Sequence, residues 1–224
     1  MPVGVLGEVR RQALKKISDS LQENVHELKN ILHADKNFDL IYREQKLGNK
    51  DAGFFFIDGF IKDTIMERLL KSFSDLKDTD IPANAGEFSD KYIPYVEVDL
   101  LDDVEDIVTA VLSGVACYFV DGYSECMAID CRTYPMRSVD EPWKDRVLRG
   151  SRDGFVETIV SNVALIRRRI RDPRLCVEIL HAGIKSRTDI SVAYLEGVAD
   201  MKLLRKIKDK IEQLDVEALT MNIE

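Results

Sequence analysis

Apolar residues recur three and four residues apart in five segments of the chain, which is the spacing of one face of an α-helix. This pattern predicts helices over residues 9–32, 60–73, 101–112, 154–171 and 198–214. Shorter apolar runs bounded by polar residues or glycine predict strands between the helices. The strands are expected over residues 38–47, 53–57, 115–120, 123–130, 175–183 and 189–195. The chain therefore alternates between α and β elements.

The order helix–strand–strand–helix occurs twice along the chain. In each half, an acidic residue and a glycine lie between the second strand and the second helix, at Asp58-Gly59 and at Glu196-Gly197. A repeated supersecondary unit predicts two structural units of similar build. We therefore predict an α/β fold with two similar lobes, each a small mixed or antiparallel sheet packed with helices.

Domain boundaries follow from the stretches rich in proline, glycine and polar residues. The predicted division is a first lobe over residues 1–131, a linker over residues 132–150 and a second lobe over residues 151–224. The first lobe includes a polar connector over residues 75–95 and a hairpin over residues 115–130. The second lobe has no counterpart of this hairpin or of the helix before it, so we expect it to be incomplete.

The hairpin is predicted from Asp121-Gly122, which lies between two apolar runs and in which both residues tolerate a positive φ. A two-residue turn here places Cys117 opposite Cys126. The chain has four cysteines and no C-x-x-C pair, so free buried thiols are expected, and a disulfide between these two is the less favoured alternative. Because no ligand-spaced histidines accompany the cysteines, neither a zinc site nor another cofactor is expected.

The formal net charge of −8 argues against a general nucleic-acid binder, which needs a basic face. The longest apolar stretch, residues 107–120, is shorter than the roughly 20 residues that a membrane-spanning helix requires. The charged run Glu8-Val9-Arg10-Arg11 near the start is unlike a signal peptide. This part of the protein is therefore expected to be soluble and, by itself, intracellular.

The arginines are concentrated between Arg132 and Arg174 despite the acidic net charge. Some precede the start of a predicted helix, where free backbone N–H groups favour anions; the alternative, that they pair with the chain's own carboxylates, is favoured. The run Arg167-Arg168-Arg169 ends that helix, and at least one of the three must face the protein or a neighbour because consecutive residues point around a helix. The candidate interface or anion-contacting residues are Arg132, Arg137, Arg149, Arg152, Arg167, Arg168 and Arg169.

No catalytic set emerges from the remaining polar residues. His26 and His33 are seven residues apart, whereas a metal pair on a helix needs a spacing of three or four. Ser151 lacks the surroundings of a nucleophile elbow. Residues 150–154 resemble a phosphate-binding loop only superficially, since the lysine and the preceding strand are missing. We therefore expect that the protein is not an enzyme.

Several motifs in the second half of the chain carry a resemblance to a known family. The motifs are residues 132–138, Glu141-Pro142, residues 149–158 and residues 164–173, which ends in Arg171-Asp172-Pro173. Together they resemble the GerA family of spore germination proteins, and the resemblance extends over about residues 38–221. It implies a full-length protein in the spore inner membrane, with a soluble amino-terminal domain on the spore-core side and membrane helices beyond Glu224. It also implies that the family continues past Glu224 with another strand–turn–strand unit.

The resemblance implies a role in germination, through germinant response and ion release. The leading hypothesis is an interaction and regulatory domain that helps to assemble or gate a membrane complex. Its expected partners are other germination membrane proteins and further copies of the same protein. The alternative is a domain that binds a small molecule, such as a germinant, in a cleft between the two lobes.

Overall fold

Two antiparallel sheets form the frame of the protein, one in each lobe. The computed structural model describes residues 15–93, 96–134 and 154–219. We use "first lobe" for the described residues up to 134 and "second lobe" for residues 154–219. The described elements are α1 (Leu21–Ile31), β1 (Leu40–Leu47), β2 (Lys50–Ile57), α2 (Asp63–Ser74), α3 (Ala85–Tyr92), β3 (Val98–Leu101), α4 (Val104–Leu112), β4 (Ala116–Val120), β5 (Cys126–Ile129), α5 (Ile159–Arg169), β6 (Leu175–Ala182), β7 (Thr188–Leu195) and α6 (Met201–Glu212).

The sheet of the first lobe has five strands in the order β1-β2-β4-β5-β3, and each neighbouring pair is antiparallel. Successive side chains of a strand point to opposite faces, so the aromatic run of β2 serves two cores. Phe55 packs with buried residues of α1 and α4 on one face. Phe54 packs with Tyr118 and with Phe73 of α2 on the other. Helices therefore cover both faces of this sheet.

The second lobe contains the antiparallel pair β6–β7 with α5 and α6. Its buried apolar clusters are small: Val163, Leu175 and Val177 form one, and Cys176, Tyr194 and Leu204 form the other. The element order of α1, β1, β2 and α2 recurs in α5, β6, β7 and α6. The predicted α/β class with two lobes of similar build is therefore confirmed.

The glycine of each predicted corner adopts a positive φ, 81° at Gly59 and 75° at Gly197. A left-handed backbone is favourable for glycine and costly for other residues. At Gly59 a side chain would also collide with the second lobe, since an added Cβ would lie 2.9 Å from Cγ1 of Val160. Gly59 therefore turns the chain and lets α5 approach the first lobe.

The first helix is shorter than the apolar spacing predicted, because it begins at Leu21. The Ser20 hydroxyl accepts a hydrogen bond from the backbone N–H of Glu23, which caps the helix at this point. Before it, the backbone of residues 15–17 pairs with the segment that precedes α4, through Ile17 N–H to Asp102 O and Val104 N–H to Lys15 O. The first residues of the predicted helix, up to residue 14, lie outside the described residues.

Two further predictions for the first lobe are wrong in detail. The connector over residues 75–95 contains α3, which the Asn84 side chain caps by accepting from the N–H of Glu87. The hairpin pairs Tyr118 with Met127, so its loop is longer than the two-residue Asp121-Gly122 turn. Cys117 therefore lies opposite Ala128 and not opposite Cys126. All four cysteines are free and buried. The pKa of the Cys126 thiol is raised, mainly by burial and to a smaller extent by the interaction with Cys117.

The hydroxyl of Tyr118 is buried without a hydrogen-bond partner among the described residues. The ring lies among Phe54, Phe73 and Phe88, and burial raises the pKa of the phenol. Since an unsatisfied buried polar group costs stability, Tyr118→Phe is expected to raise the free energy of unfolding by about 1 kcal/mol. Urea denaturation followed by circular dichroism measures this change, and Tyr123→Phe, which removes a hydroxyl that donates to Pro82 O, is the control expected to lower stability. An unchanged or lower stability of Tyr118→Phe would contradict the prediction.

Within the three described ranges, the helices are all too short or too polar to cross a membrane.

Candidate functional site

Arg167 of α5 is the buried charge that joins the two lobes. Its side chain is 2% exposed, and the Asp39 carboxylate that it contacts is fully buried. The guanidinium donates from Nε to Asp39 Oδ2 at 2.7 Å and from Nη2 to Asp39 Oδ1 at 2.9 Å. It also donates from Nη1 to the carbonyl of Leu175 at 3.0 Å. Two parallel hydrogen bonds to one carboxylate are the strongest geometry available to an arginine.

Asn37 completes this site by hydrogen bonding to both lobes. Its Oδ1 accepts from Arg167 Nη2 at 2.6 Å and from the N–H of Val177 at 2.7 Å. Its Nδ2 donates to the carbonyls of Leu32 and His33 at the end of α1, at 2.8 and 3.1 Å. The amide thus makes all four of the hydrogen bonds that it can form. We refer to Asn37, Asp39 and Arg167 as the junction triad.

Local structure explains why these three residues meet. Arg167 lies one turn after Val163 and Ala164, which are buried on the same face of α5, so it points inward with them. Asn37 and Asp39 flank Phe38 just before β1, and the Phe38 N–H donates to Val177 O of β6 at 3.2 Å. The segment before β1 therefore lies alongside β6 and brings both polar side chains to the end of α5.

The lobes are closely packed around the junction triad. Lys36 of the first lobe forms an ion pair of 3.1 Å with Glu196 at the end of β7. Gly59 approaches Val160 and Ala164 of α5 closely. Since Asn37, Asp39 and Arg167 are all buried, the described residues at this place fill the space between the lobes and leave no cleft there.

The comparisons with known proteins agree with the motifs. The family described as the Bacillus/Clostridium GerA spore germination protein matches residues 26–224. The chain belongs to the GerA family. GerA-family relatives include stage V sporulation protein AF of Bacillus subtilis, which is 34% identical over 206 residues, covering 89% of this chain and 41% of that protein. Spore germination protein KA of Bacillus subtilis is 29% identical over 207 residues, covering 91% of this chain and 38% of that protein.

The chain thus spans about two fifths of the length of these curated GerA-family relatives. A solved structure with the same fold is the N-terminal domain of the A subunit of the Bacillus megaterium spore germinant receptor GerK3. Its TM-score is 0.71 at 23% identity, and the match covers 91% of this chain and 75% of that one. The chain is therefore a member of the GerA family of spore germination proteins, and its fold is shared with the N-terminal domain of a receptor A subunit.

The candidate arginines of this GerA-family chain, which are close together in the sequence, have different surroundings in the structure. Arg132 pairs with Asp130, and this hydrogen bond lowers the pKa of the carboxyl. Arg168 is exposed, and its guanidinium lies 4.8 Å from the centre of the Tyr134 ring. Arg169 is exposed beside it at the end of α5. The remaining candidates, Arg137, Arg149 and Arg152, lie outside the described residues. Of the four described candidates, Arg167 is the one that lies at the junction.

Sequence reasoning missed Asn37 and Asp39, the two partners of Arg167. The signal available was their position, since both are polar residues at the start of a predicted strand, directly beside apolar Phe38 and Leu40. Nothing in the sequence connected them to Arg167, because the hydrogen-bonded residues are 128 and 130 positions apart. The pairing depends on how the lobes pack.

Proposed function

We propose that this chain is an N-terminal interaction and regulatory domain of a spore inner-membrane protein, and that it helps to assemble or gate a membrane complex during germination. The proposal places the domain on the spore-core side and gives it no catalytic role. Its expected partners are other germination membrane proteins and further copies of the same protein, with germinant response and ion release as the processes served. Membership of the GerA family supports it.

The observation that carries the proposal is the buried junction triad. A regulatory domain must pass a change at one surface to another, which requires that its parts move together. Separating the lobes would break the two hydrogen bonds from Arg167 to Asp39 and the two that Asn37 accepts from Arg167 and from the Val177 N–H, and the loss of these bonds costs several kcal/mol in total. The two lobes therefore behave as one rigid body. Such a body can transmit a displacement or a rotation between the rest of the protein and its neighbours.

The proposal predicts that the exposed end of α5 contacts a neighbour. Arg168→Glu is expected to slow germination without unfolding the domain, because it reverses a charge at an exposed position whose side chain lies over the half-buried Tyr134 ring. Arg171→Glu, an equal change of charge three residues later at an exposed site, is the matched control. Germination is measured as the fall in optical density of spores that carry each variant, and circular dichroism of the purified chain checks its folding. Equal germination of the Arg168→Glu, Arg171→Glu and unaltered spores would overturn the proposal.

A site for a small molecule between the lobes was the alternative expectation. It has less support, because the described residues fill the junction around Arg167.

The second lobe supports the further proposal that an additional strand completes it, as expected from the family resemblance. When Gly59 is aligned with Gly197, the apolar positions of α2 coincide with those of α6. Leu69, buried in α2, corresponds to Ile207, which is 42% exposed, and Ile65 corresponds to Leu203, which is 57% exposed.

In the first lobe β4 pairs with β2 and its side chains pack against α2. Among the described residues β7, the counterpart of β2, pairs only with β6. We therefore place the additional strand beside β7, where it covers the exposed row of α6.

A further inference from the structure

A small apolar groove lies on the outer side of α5, away from the face that carries Arg167 to the junction. Its volume is about 230 Å³, and it is lined by Phe155, Leu165, Ile166, Arg169 and Ile170. The four helical residues lie in two rows of i and i+4 neighbours, so their side chains form a continuous surface. Sites that hold small molecules have volumes of about 300–1,000 Å³, and this smaller groove is suited to a single side chain.

Phe155 is held beside this groove although 66% of the residue is exposed. The Asn162 amide accepts from the backbone N–H of Val156 at 2.7 Å and donates to the Val156 carbonyl at 2.7 Å. These two hydrogen bonds fasten the segment before α5 to the start of the helix. Ile170, another lining residue, is 39% exposed. Apolar side chains that are held together at a surface are typical of a place where another apolar group docks.

The segment that connects the two lobes, residues 135–153, starts and ends at α5. It lies outside the described residues. The Tyr134 ring before it lies 4.8 Å from the Arg168 guanidinium, and Gly154 after it directly precedes Phe155. The 11 residues of α5 extend over about 16 Å, whereas nine extended residues span about 30 Å. The middle of the connecting segment can therefore reach any point along α5.

Trp143, the single tryptophan of the chain, lies in the middle of this connecting segment, nine residues after Tyr134 and eleven before Gly154. Its indole is a large apolar group that gains stability from burial. Asp140 and Glu141 precede it, and their charge is complementary to the exposed arginines at the end of α5. The connecting segment thus carries both the apolar side chain and the charges that the groove and its rim would accept.

We propose that Trp143 docks in the groove on α5, against Phe155 and Ile170, with Asp140 and Glu141 close to the arginines at the end of the helix. The connecting segment is then fastened to the second lobe and forms a further link between the lobes, in addition to the junction triad. The inference rests on the groove and on the connecting segment, and it is independent of the proposed role in germination.

The test is acrylamide quenching of the fluorescence of the purified 224-residue chain, in which Trp143 alone supplies the tryptophan emission. Burial of a large apolar side chain favours the docked form by at least about tenfold. We therefore expect a quenching constant about tenfold lower than in the urea-unfolded chain, and emission at a shorter wavelength. Equal quenching of the folded and unfolded chains would overturn the proposal. Quenching that weakens as the protein concentration rises would assign the groove to Trp143 of a second copy, and would also overturn it.

Variants locate the indole on the protein. Ile170→Ser and Phe155→Ser each remove an apolar side of the groove, and each is expected to shift the emission to a longer wavelength and to raise the quenching constant towards that of the unfolded chain. Since both residues are exposed, neither substitution is expected to unfold the protein, which circular dichroism checks. Ile184→Ser, at a residue that is 65% exposed between β6 and β7, is the matched control and is expected to leave the emission unchanged. Unchanged emission in both groove variants would place the indole elsewhere and contradict the inference.

Discussion

Replacement of Arg167 by methionine is expected to lower the free energy of unfolding by about 3–5 kcal/mol. Methionine fills much of the same volume but has no donor, so the Asp39 carboxylate stays buried with neither its charge partner nor two of its hydrogen bonds. Asn37 Oδ1 and the Leu175 carbonyl each lose a donor as well. Few single substitutions elsewhere in the described chain would leave so many buried polar groups without a partner.

Urea denaturation of the purified chain, followed by circular dichroism, measures this loss. Arg168→Met is the matched control, since the adjacent residue is exposed and, within the described part of the chain, loses its contact with the Tyr134 ring. That contact contributes about 0.5–1 kcal/mol at an exposed site. Equal destabilisation by the two substitutions would show that the junction triad does not hold the lobes together.

A double variant separates the loss of a partner from the value of the pair itself. Adding Asp39→Leu to Arg167→Met removes the stranded charge, so it is expected to restore a large part of the lost stability. If the double variant is no more stable than Arg167→Met alone, the cost comes from packing and not from the buried carboxylate. The lobes of this double variant are joined without the ion pair. Its germination therefore tests whether the proposed regulatory role needs the ion pair itself or only joined lobes.

The sequence predicted the elements better than their pairing. Helices and strands with a regular apolar period, such as β6, β7 and α2, were found close to their observed bounds. The start of α1 was missed because the apolar period continues before it, although residues 15–17 bond to the segment before α4. In the hairpin, Asp121-Gly122 suggested a tight turn, but the register is set by the pairing of β5 with β3 and β4. Contacts between distant segments decide these points.

The candidate site was predictable only in part for the same reason. The run Arg167-Arg168-Arg169 indicated that one arginine faces the protein, because three consecutive residues cannot all point away from it. Which of them does so depends on the buried positions Val163 and Ala164, one turn earlier. The carboxylate that receives it belongs to the other lobe, and its distance along the chain hides it from any local pattern.

The internal repeat leads to the second prediction, in which the same substitution has unequal effects in the two lobes. Leu69→Ala in α2 is expected to cost about 2–5 kcal/mol, the usual range for truncation of a buried leucine, since this side chain is 7% exposed and packs in the core of the first lobe. Its counterpart Ile207 in α6 is 42% exposed, so Ile207→Ala is expected to change stability by only about 0.5 kcal/mol. Urea denaturation of the 224-residue chain compares the two.

The decisive comparison repeats Ile207→Ala in a longer chain that includes the sequence that follows in the full-length protein. If an additional strand pairs with β7, Ile207 becomes buried as Leu69 is, and the cost of its truncation rises to about 2–5 kcal/mol. The cost of Leu69→Ala stays the same in both chains, because the first lobe already has β4 in the equivalent position. A cost for Ile207→Ala that does not rise would mean that the apolar row of α6 is left open by its own chain. The two lobes would then share their element order but not the arrangement of their sheets.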